Sequence, residues 1–123
     1  MMKRSILAGA FLLFGAASWA TGCSRAAAVC EIICDCEHCN DQAKIEACNQ
    51  LGTAEDIAAT YDCSTQWDAY STCFEERGVC DTKESRFSTR DDMGNDKCQD
   101  ESDDLKKCID SASAHDGTSG QFN

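Results

Sequence analysis

The chain has 123 residues, among them 11 cysteines and no proline, and its 22 acidic and 11 basic residues give a net charge of -11. A field of this sign repels nucleic acid and anionic membrane surfaces, so the folded part is not expected to bind either through charge. The negative charge favours solubility. The expected ligand is an unidentified protein or a cationic partner.

The first residues have the pattern of an export signal. Lys3 and Arg4 precede an uncharged stretch that continues to Ser24, in which residues 6–20 are mostly apolar. A basic start, an apolar stretch and then small residues are typical of a secretory signal peptide. Residues 1–22 are therefore predicted to be a signal. Cleavage after Ala20, or retention of residues 5–24 as a membrane-spanning helix, remain as alternatives.

The end of this segment carries a short motif. Ala20-Thr21-Gly22-Cys23 resembles the lipobox of bacterial lipoproteins, in which Leu usually stands where this chain has Ala20. The resemblance implies that the signal is cut before Cys23 and that Cys23 is lipidated. Ser24 after that cysteine, instead of Asp, implies sorting to the outer membrane in a diderm organism. The expected location is thus the cell envelope, with secretion as the alternative.

The number of cysteines favours the same interpretation. Lipidation of Cys23 leaves ten, which can pair completely, whereas cleavage after Ala20 leaves an odd thiol in an oxidising compartment. So many cysteines in about 100 residues with few apolar side chains indicate a disulfide scaffold. We expect Cys23 and a tether over 23–29, a cysteine-rich domain over 30–114, and a flexible tail over 115–123.

The apolar pattern predicts an all-α fold, a small disulfide-rich bundle of about four helices that includes an antiparallel hairpin. The helices are expected over residues 26–38, 41–51, 54–77 and 96–114. Gly52 and Gly78 are expected to end the second and third, and Thr53 to cap the third. Residues 79–95 show no period and are predicted to form a long loop, and no sheet is expected.

Two pairs of cysteines share a spacing. Cys63 and Cys73 are ten positions apart, as are Cys98 and Cys108. On a helix this step returns to the same face, so two antiparallel helices would bring Cys63 opposite Cys108 and Cys73 opposite Cys98. The arrangement resembles the twin C-x9-C hairpin of eukaryotic CHCH-domain proteins, with a much longer link of 24 residues between the pairs.

Spacing alone does not pair the other cysteines of the domain, because six residues allow 15 pairings. Cys80 is expected to reach back to the first helices, since nothing else nearby can hold the predicted loop. The six are Cys30, Cys34, Cys36, Cys39, Cys48 and Cys80.

The densest cysteine patch admits alternatives to structural disulfides. Cys34, Cys36, His38 and Cys39 could together bind zinc or copper. Cys36 and Cys39 also form the C-x-x-C spacing of thiol oxidoreductases. Haem attachment is excluded because position 40 is Asn rather than His. Export to an oxidising compartment favours disulfides, so no metal and no cofactor is expected.

No other pattern predicts catalysis. The acidic stretch 91–104 lacks the ligand order of calcium loops, and no Ser, His and acid recur at a recognisable spacing. Trp67 and Tyr70 are expected to pack in the core. The sequence therefore predicts a non-enzymatic envelope lipoprotein that presents a rigid acidic module for binding or structural work. The alternatives are a metal or thiol-redox protein and a secreted disulfide-rich effector.

Overall fold

The computed structural model describes residues 24–115, in which four helices and one short hairpin follow each other along the chain. This confirms the expected small, disulfide-rich helical fold. None of the helices in this range is long and apolar enough to cross a membrane. The elements are α1 (Arg25–Glu37), α2 (Asp41–Thr60), α3 (Ser64–Arg77), β1 (Val79–Asp81), β2 (Arg86–Ser88) and α4 (Gln99–His115).

The helices alternate in direction, which gives the bundle two distinct ends. Cys30 of α1 is bridged to Cys48 of α2, and Ala26 at the start of α1 contacts Glu55 near the end of α2. The two cysteine pairs between α3 and α4 have the same antiparallel order. We call the end that holds the start of α1 the proximal end. The opposite end, where Cys36 is bridged to Cys80, is the hairpin end.

The first helix begins earlier than predicted. The side chain of Ser24 caps it by accepting a hydrogen bond from the Ala27 backbone N–H, and α1 starts at Arg25. Ala26 and Val29 are buried, with exposed fractions of 1% and 3%. The expected tether over 23–29 is therefore wrong from residue 25 onward, because small and apolar side chains there pack onto the bundle.

The second helix does not stop at Gly52. It continues to Thr60, and the predicted start of a new helix at Thr53 is wrong. The Thr53 hydroxyl donates to the Asn49 carbonyl one turn earlier instead of capping a helix. A glycine costs a helix only about 1 kcal/mol relative to alanine, which the packing of α2 on α1 and α3 can offset.

Two helices are followed by a residue other than glycine whose backbone is in the left-handed region. His38 follows α1 with φ 53°, and Asp62 follows α2 with φ 57°. Beyond Asp62, the backbone N–H of Cys63 donates to the Ala58 carbonyl, which completes a Schellman turn. In such a turn the residues at both ends of this hydrogen bond make an apolar contact, and Ala58 and Cys63 are both fully buried.

The predicted loop over 79–95 contains a β-hairpin, so the expectation of no sheet is wrong. Strands β1 and β2 pair antiparallel, with Val79 opposite Ser88 and Asp81 opposite Arg86. The Asp81 carboxylate accepts hydrogen bonds from the backbone N–H groups of Lys83 and Glu84 and so forms the turn. Three-residue strands are too short to show a period in a polar sequence.

The core is small and partly aromatic. Trp67 is 4% exposed, which agrees with its expected place in the core. Tyr70 lies edge-on to Trp67 and to Phe74, and Phe74 stacks on Phe87 of β2. This row of rings extends the core from α3 to the hairpin. The central buried cluster consists of Ala26, Ala58, Cys63, Trp67 and Leu105.

Replacing two glycines by alanine is expected to have opposite effects. Gly52→Ala should raise the free energy of unfolding by about 1 kcal/mol, since alanine is the better helix former and a Cβ there meets no atom. Gly78→Ala should lower it by about 1–3 kcal/mol, because a Cβ would overlap the Phe87 ring. Denaturant unfolding of the oxidised protein measures both. A destabilised Gly52→Ala variant would contradict a continuous α2.

Candidate functional site

All ten cysteines of the described residues form disulfides. Cys63 pairs with Cys108 at an S–S distance of 2.04 Å, and Cys73 pairs with Cys98 at 2.03 Å. These are the two pairs that the helical spacing predicts. Both bridges join α3 to α4. The other three pairs, which spacing did not determine, are Cys30–Cys48, Cys34–Cys39 and Cys36–Cys80.

The dense patch at the end of α1 is divided between two bridges. Cys34 and Cys39 close the turn at His38, at the two positions where a Schellman turn usually has its apolar contact. Cys36 reaches Cys80 on β1, as expected for the cysteine of the predicted loop. The C-x-x-C residues Cys36 and Cys39 therefore have different partners and form no dithiol pair.

The same pairing bears on metal binding. A thiolate ligand needs a free sulfur, and the three sulfurs of Cys34, Cys36 and Cys39 are in disulfides. His38 is exposed at the helix end. Between Ser24 and His115, no group of three or more histidine, cysteine and carboxylate side chains has an arrangement suited to a metal ion. In the oxidised protein these sulfurs close the end of α1 and join it to β1.

The predicted lipidation site, Cys23, lies outside the described residues. The residues that follow it are held by hydrogen bonds and an ion pair to α2 and α3. Ala26 donates its backbone N–H to Glu55 Oε2 at 2.6 Å, and the same oxygen accepts the Trp67 indole N–H at 2.9 Å. One carboxylate thus joins α1, α2 and α3 and meets the positive end of the α1 dipole. The Arg25 guanidinium lies 3.2 Å from the Glu75 carboxylate on α3.

The role of Glu55 can be tested by removing its carboxylate. Glu55→Ala leaves the Trp67 indole and the Ala26 backbone N–H without their acceptor, and should cost about 2–3 kcal/mol of unfolding free energy. Glu46→Ala, on an exposed face of α2, is the control and should change stability by less than about 0.5 kcal/mol. Equal unfolding midpoints for the two variants would show that this junction is not needed.

The hairpin end carries an open groove of about 750 Å³. Side chains alternate across a strand, so the hairpin has two faces. Cys80 and Phe87 are on the inner face, where the disulfide and the stacked rings attach them to α1 and α3. The other face, which we call the outer hairpin face, lines the groove together with Phe87. It consists of Val79, Asp81, Arg86, Ser88 and Arg90.

A tight turn over 91–95 closes one side of this groove. The backbone N–H of Asn95, then its side-chain amide and the backbone N–H of Met93, lower the pKa of the Asp91 carboxyl below its usual value. These donors hold the carboxylate inside the turn. Asp92 of the same turn is exposed. Residues 91–95 of the acidic stretch therefore form a folded turn, in which the chain itself supplies the hydrogen-bond donors of the Asp91 carboxylate.

A second carboxylate connects this turn to α4. Asp96 accepts hydrogen bonds from the Cys98 backbone N–H at 2.9 Å and the Thr89 hydroxyl at 2.8 Å. The Cys98 bond first, then the Thr89 bond and the Arg90 charge, lower the pKa of Asp96. The negative charge of Asp96 in turn adds to burial in raising the pKa of the Tyr70 hydroxyl.

The Asp96 bonds give a pH-dependent prediction. Asp96→Ala should cost about 1 kcal/mol of stability at neutral pH by removing the acceptor. Because the folded pKa lies below the usual 3.8, the contribution of the carboxylate is complete above that pH and is lost as the pH falls through the folded pKa. Denaturant unfolding of both proteins from pH 7 to pH 2 measures it. A difference that grows on acidification would contradict the assignment.

An apolar groove of about 380 Å³ separates α2 from α4. Ile57 of α2 faces Leu105 and Ile109 of α4 across it, and Lys106 and Asp110 lie at its rim. The packing of these two helices is looser than that of α1 on α2 or of α3 on α4. The groove accounts for the partial exposure of apolar side chains that the helical pattern assigns to the core.

The hairpin face was not predicted from the sequence, although a weak signal for it exists. Phe87 lies between two polar residues, Cys80 is followed by the polar Asp81, and residues 82–85 form a polar turn between them. That alternation, read together with the expected bridge from Cys80, is the pattern that indicates a hairpin.

Comparison with known proteins identifies no relative whose site could be compared with this one. No protein-family model, no curated protein and no solved structure matches the chain.

Proposed function

We propose that this chain is a non-enzymatic envelope lipoprotein, anchored through a lipid on Cys23, which presents a rigid acidic domain for binding or structural work. The observation that carries the proposal is the complete pairing of the other cysteines. Ten of the 11 cysteines close five disulfides among themselves, and Cys23 is the eleventh. An exported protein with a spare cysteine directly after small residues has the chemistry that lipidation requires.

The start of α1 supports a close attachment. Only Ser24 separates Cys23 from the helix, and Ser24 is itself the cap of that helix. The first helical residues are held by Glu55 and Glu75. A lipid on Cys23 would thus hold the proximal end against the membrane headgroups, with no flexible linker between anchor and domain.

The length of α1 then places the rest of the domain. Its 13 residues rise about 20 Å, so the hairpin end would lie about that far above the headgroups with α1 along the membrane normal, and closer with α1 tilted. The anchored domain would present the outer hairpin face and the 91–95 turn away from the membrane. Since the chain is strongly acidic, the anchor and not charge would keep it on an anionic bilayer.

The metal and thiol-redox alternative has less support. It needs free thiolates at Cys34, Cys36 and Cys39, which the structure has in two separate disulfides. The secreted alternative, a disulfide-rich effector, has the signal cut after Ala20, which would leave Cys23 in the mature chain without a lipid.

The anchor is tested on the full chain expressed in a bacterial host that processes lipoproteins. The protein is expected in the membrane fraction, released by detergent but not by salt. Its intact mass should correspond to cleavage before Cys23 with added acyl groups and five disulfides. Cys23→Ala should abolish the lipid mass and the membrane association, because the attachment atom is the cysteine sulfur.

Ser24→Ala serves as the control, since it changes the neighbouring residue and keeps the lipid-bearing sulfur. It should remain in the membrane fraction with the same acyl mass. A mature protein that begins after Ala20 and carries no lipid would overturn the proposal and favour the secreted alternative.

A further inference from the structure

The disulfides divide the domain into two halves. The first half, which holds α1 and α2, has two bridges of its own, Cys30–Cys48 and Cys34–Cys39. The second half, which holds α3, the hairpin and α4, also has two, Cys63–Cys108 and Cys73–Cys98. Among the bridges of residues 24–115, Cys36–Cys80 alone joins one half to the other.

The two ends of the domain hold these halves together in different ways. At the proximal end, Glu55 of the first half accepts the Trp67 indole N–H of the second, beside a buried cluster that draws residues from both. At the hairpin end, α1 is joined to the hairpin by the Cys36–Cys80 bridge and by the Phe87 backbone N–H, which donates to Glu37 at 3.3 Å. This hydrogen bond is exposed, so water can replace it at little cost.

The bridge between the halves is also the most accessible one. Cys80 is exposed, whereas every other bridged cysteine of the described residues is buried or half-buried. Thiol–disulfide exchange begins when a thiolate attacks a disulfide sulfur, so its rate depends on access to that sulfur. A bridge whose two sulfurs are covered reacts only after the packing around it has opened. A thiol reagent is therefore expected to reach the Cys36–Cys80 bridge first.

We propose that Cys36–Cys80 is a site of thiol–disulfide exchange, at which a dithiol reductant separates α1 from the hairpin and leaves the other four bridges closed. One thiolate of the reductant attacks the Cys80 sulfur, and Cys36 leaves as a thiolate that takes up a proton. The second thiol of the reductant then displaces Cys80. Both cysteines end as thiols and the reductant ends as a disulfide, so two electrons and two protons pass to the protein.

The reduced domain opens at one end only. Each half keeps two bridges of its own, and the Glu55–Trp67 hydrogen bond still joins the halves at the proximal end. At the hairpin end the exposed bond from Phe87 to Glu37 remains, which is too weak to replace a covalent link. Reduction therefore exposes the end of α1 and the inner face of the hairpin. The proposal holds for an anchored and for a secreted protein alike.

The order of reduction tests the site. The oxidised protein, purified from its producing host, is first alkylated to block any free thiol, Cys23 included, so the result is separable from that of the lipid-anchor experiment. It is then treated with graded dithiothreitol, and the new thiols are trapped with iodoacetamide and located by mass spectrometry. Cys36 and Cys80 are expected to be alkylated about tenfold faster than the cysteines of any other bridge, because Cys80 is the exposed one.

Hydrogen exchange then tests the opening. In the double variant Cys36→Ser with Cys80→Ser, the Phe87 backbone N–H is expected to exchange about tenfold faster than in the oxidised protein, as measured by NMR. The Trp67 indole N–H should keep its protection, because Glu55 still accepts it. Cys34→Ser with Cys39→Ser is the matched control, since it removes a bridge near the same end but within one half. It should leave the Phe87 exchange rate within about twofold.

Three results would overturn the proposal. They are the reduction of another bridge first or of all five together, a Phe87 exchange rate that rises equally in both double variants or in neither, and the loss of Trp67 protection once the Cys36–Cys80 bridge is removed. The last result would mean that the whole domain opens. The reduction experiment uses the unaltered chain, so its result stands even if a double variant fails to fold.

Discussion

The fold depends on covalent bridges, several of whose cysteines are buried where a larger domain has large apolar side chains. Cys30, Cys63 and Cys98 have no exposed surface, and together with Ser71 they are the largest side chains that are fully buried. A domain of this size with one buried tryptophan has little apolar area to offset chain entropy. Five bridges restrict the unfolded chain, at about 2–4 kcal/mol each, and let short helices pack stably.

The part of the fold that could be predicted is the part that follows from the helical period of the sequence. Cys73 and Cys108 lie on α3 and α4, and Cys63 and Cys98 stand directly before these helices, so their equal spacing predicts which sulfurs meet. The division of residues 41–77 into two helices was predicted at the wrong place, because Gly52 is a weak stop and the break comes at Asp62. An aspartate in the left-handed region has no strong sequence signal.

The remaining bridges depend on contacts that no local pattern encodes. Cys34 meets Cys39 because the chain reverses at His38. Cys36 meets Cys80 because the row of rings holds the hairpin on α3 and β2 packs beside the end of α1. The same long-range packing creates the outer hairpin face. Its polar alternation is visible in the sequence, but only the attachment of the inner face to α1 and α3 shows which side is free.

The nesting of the bridges has a consequence for resistance to proteases. The loops closed by Cys30–Cys48, Cys36–Cys80 and Cys63–Cys108 overlap, so every peptide bond from 30 to 108 lies within at least one covalent loop. A single cut there leaves both pieces joined. Separation of the domain from an anchor at Cys23 would require a cut before Cys30, within the capped and partly buried first turns of α1. Since α1 begins at Arg25, residues 25–29 of the stretch where one cut would release the domain are helical.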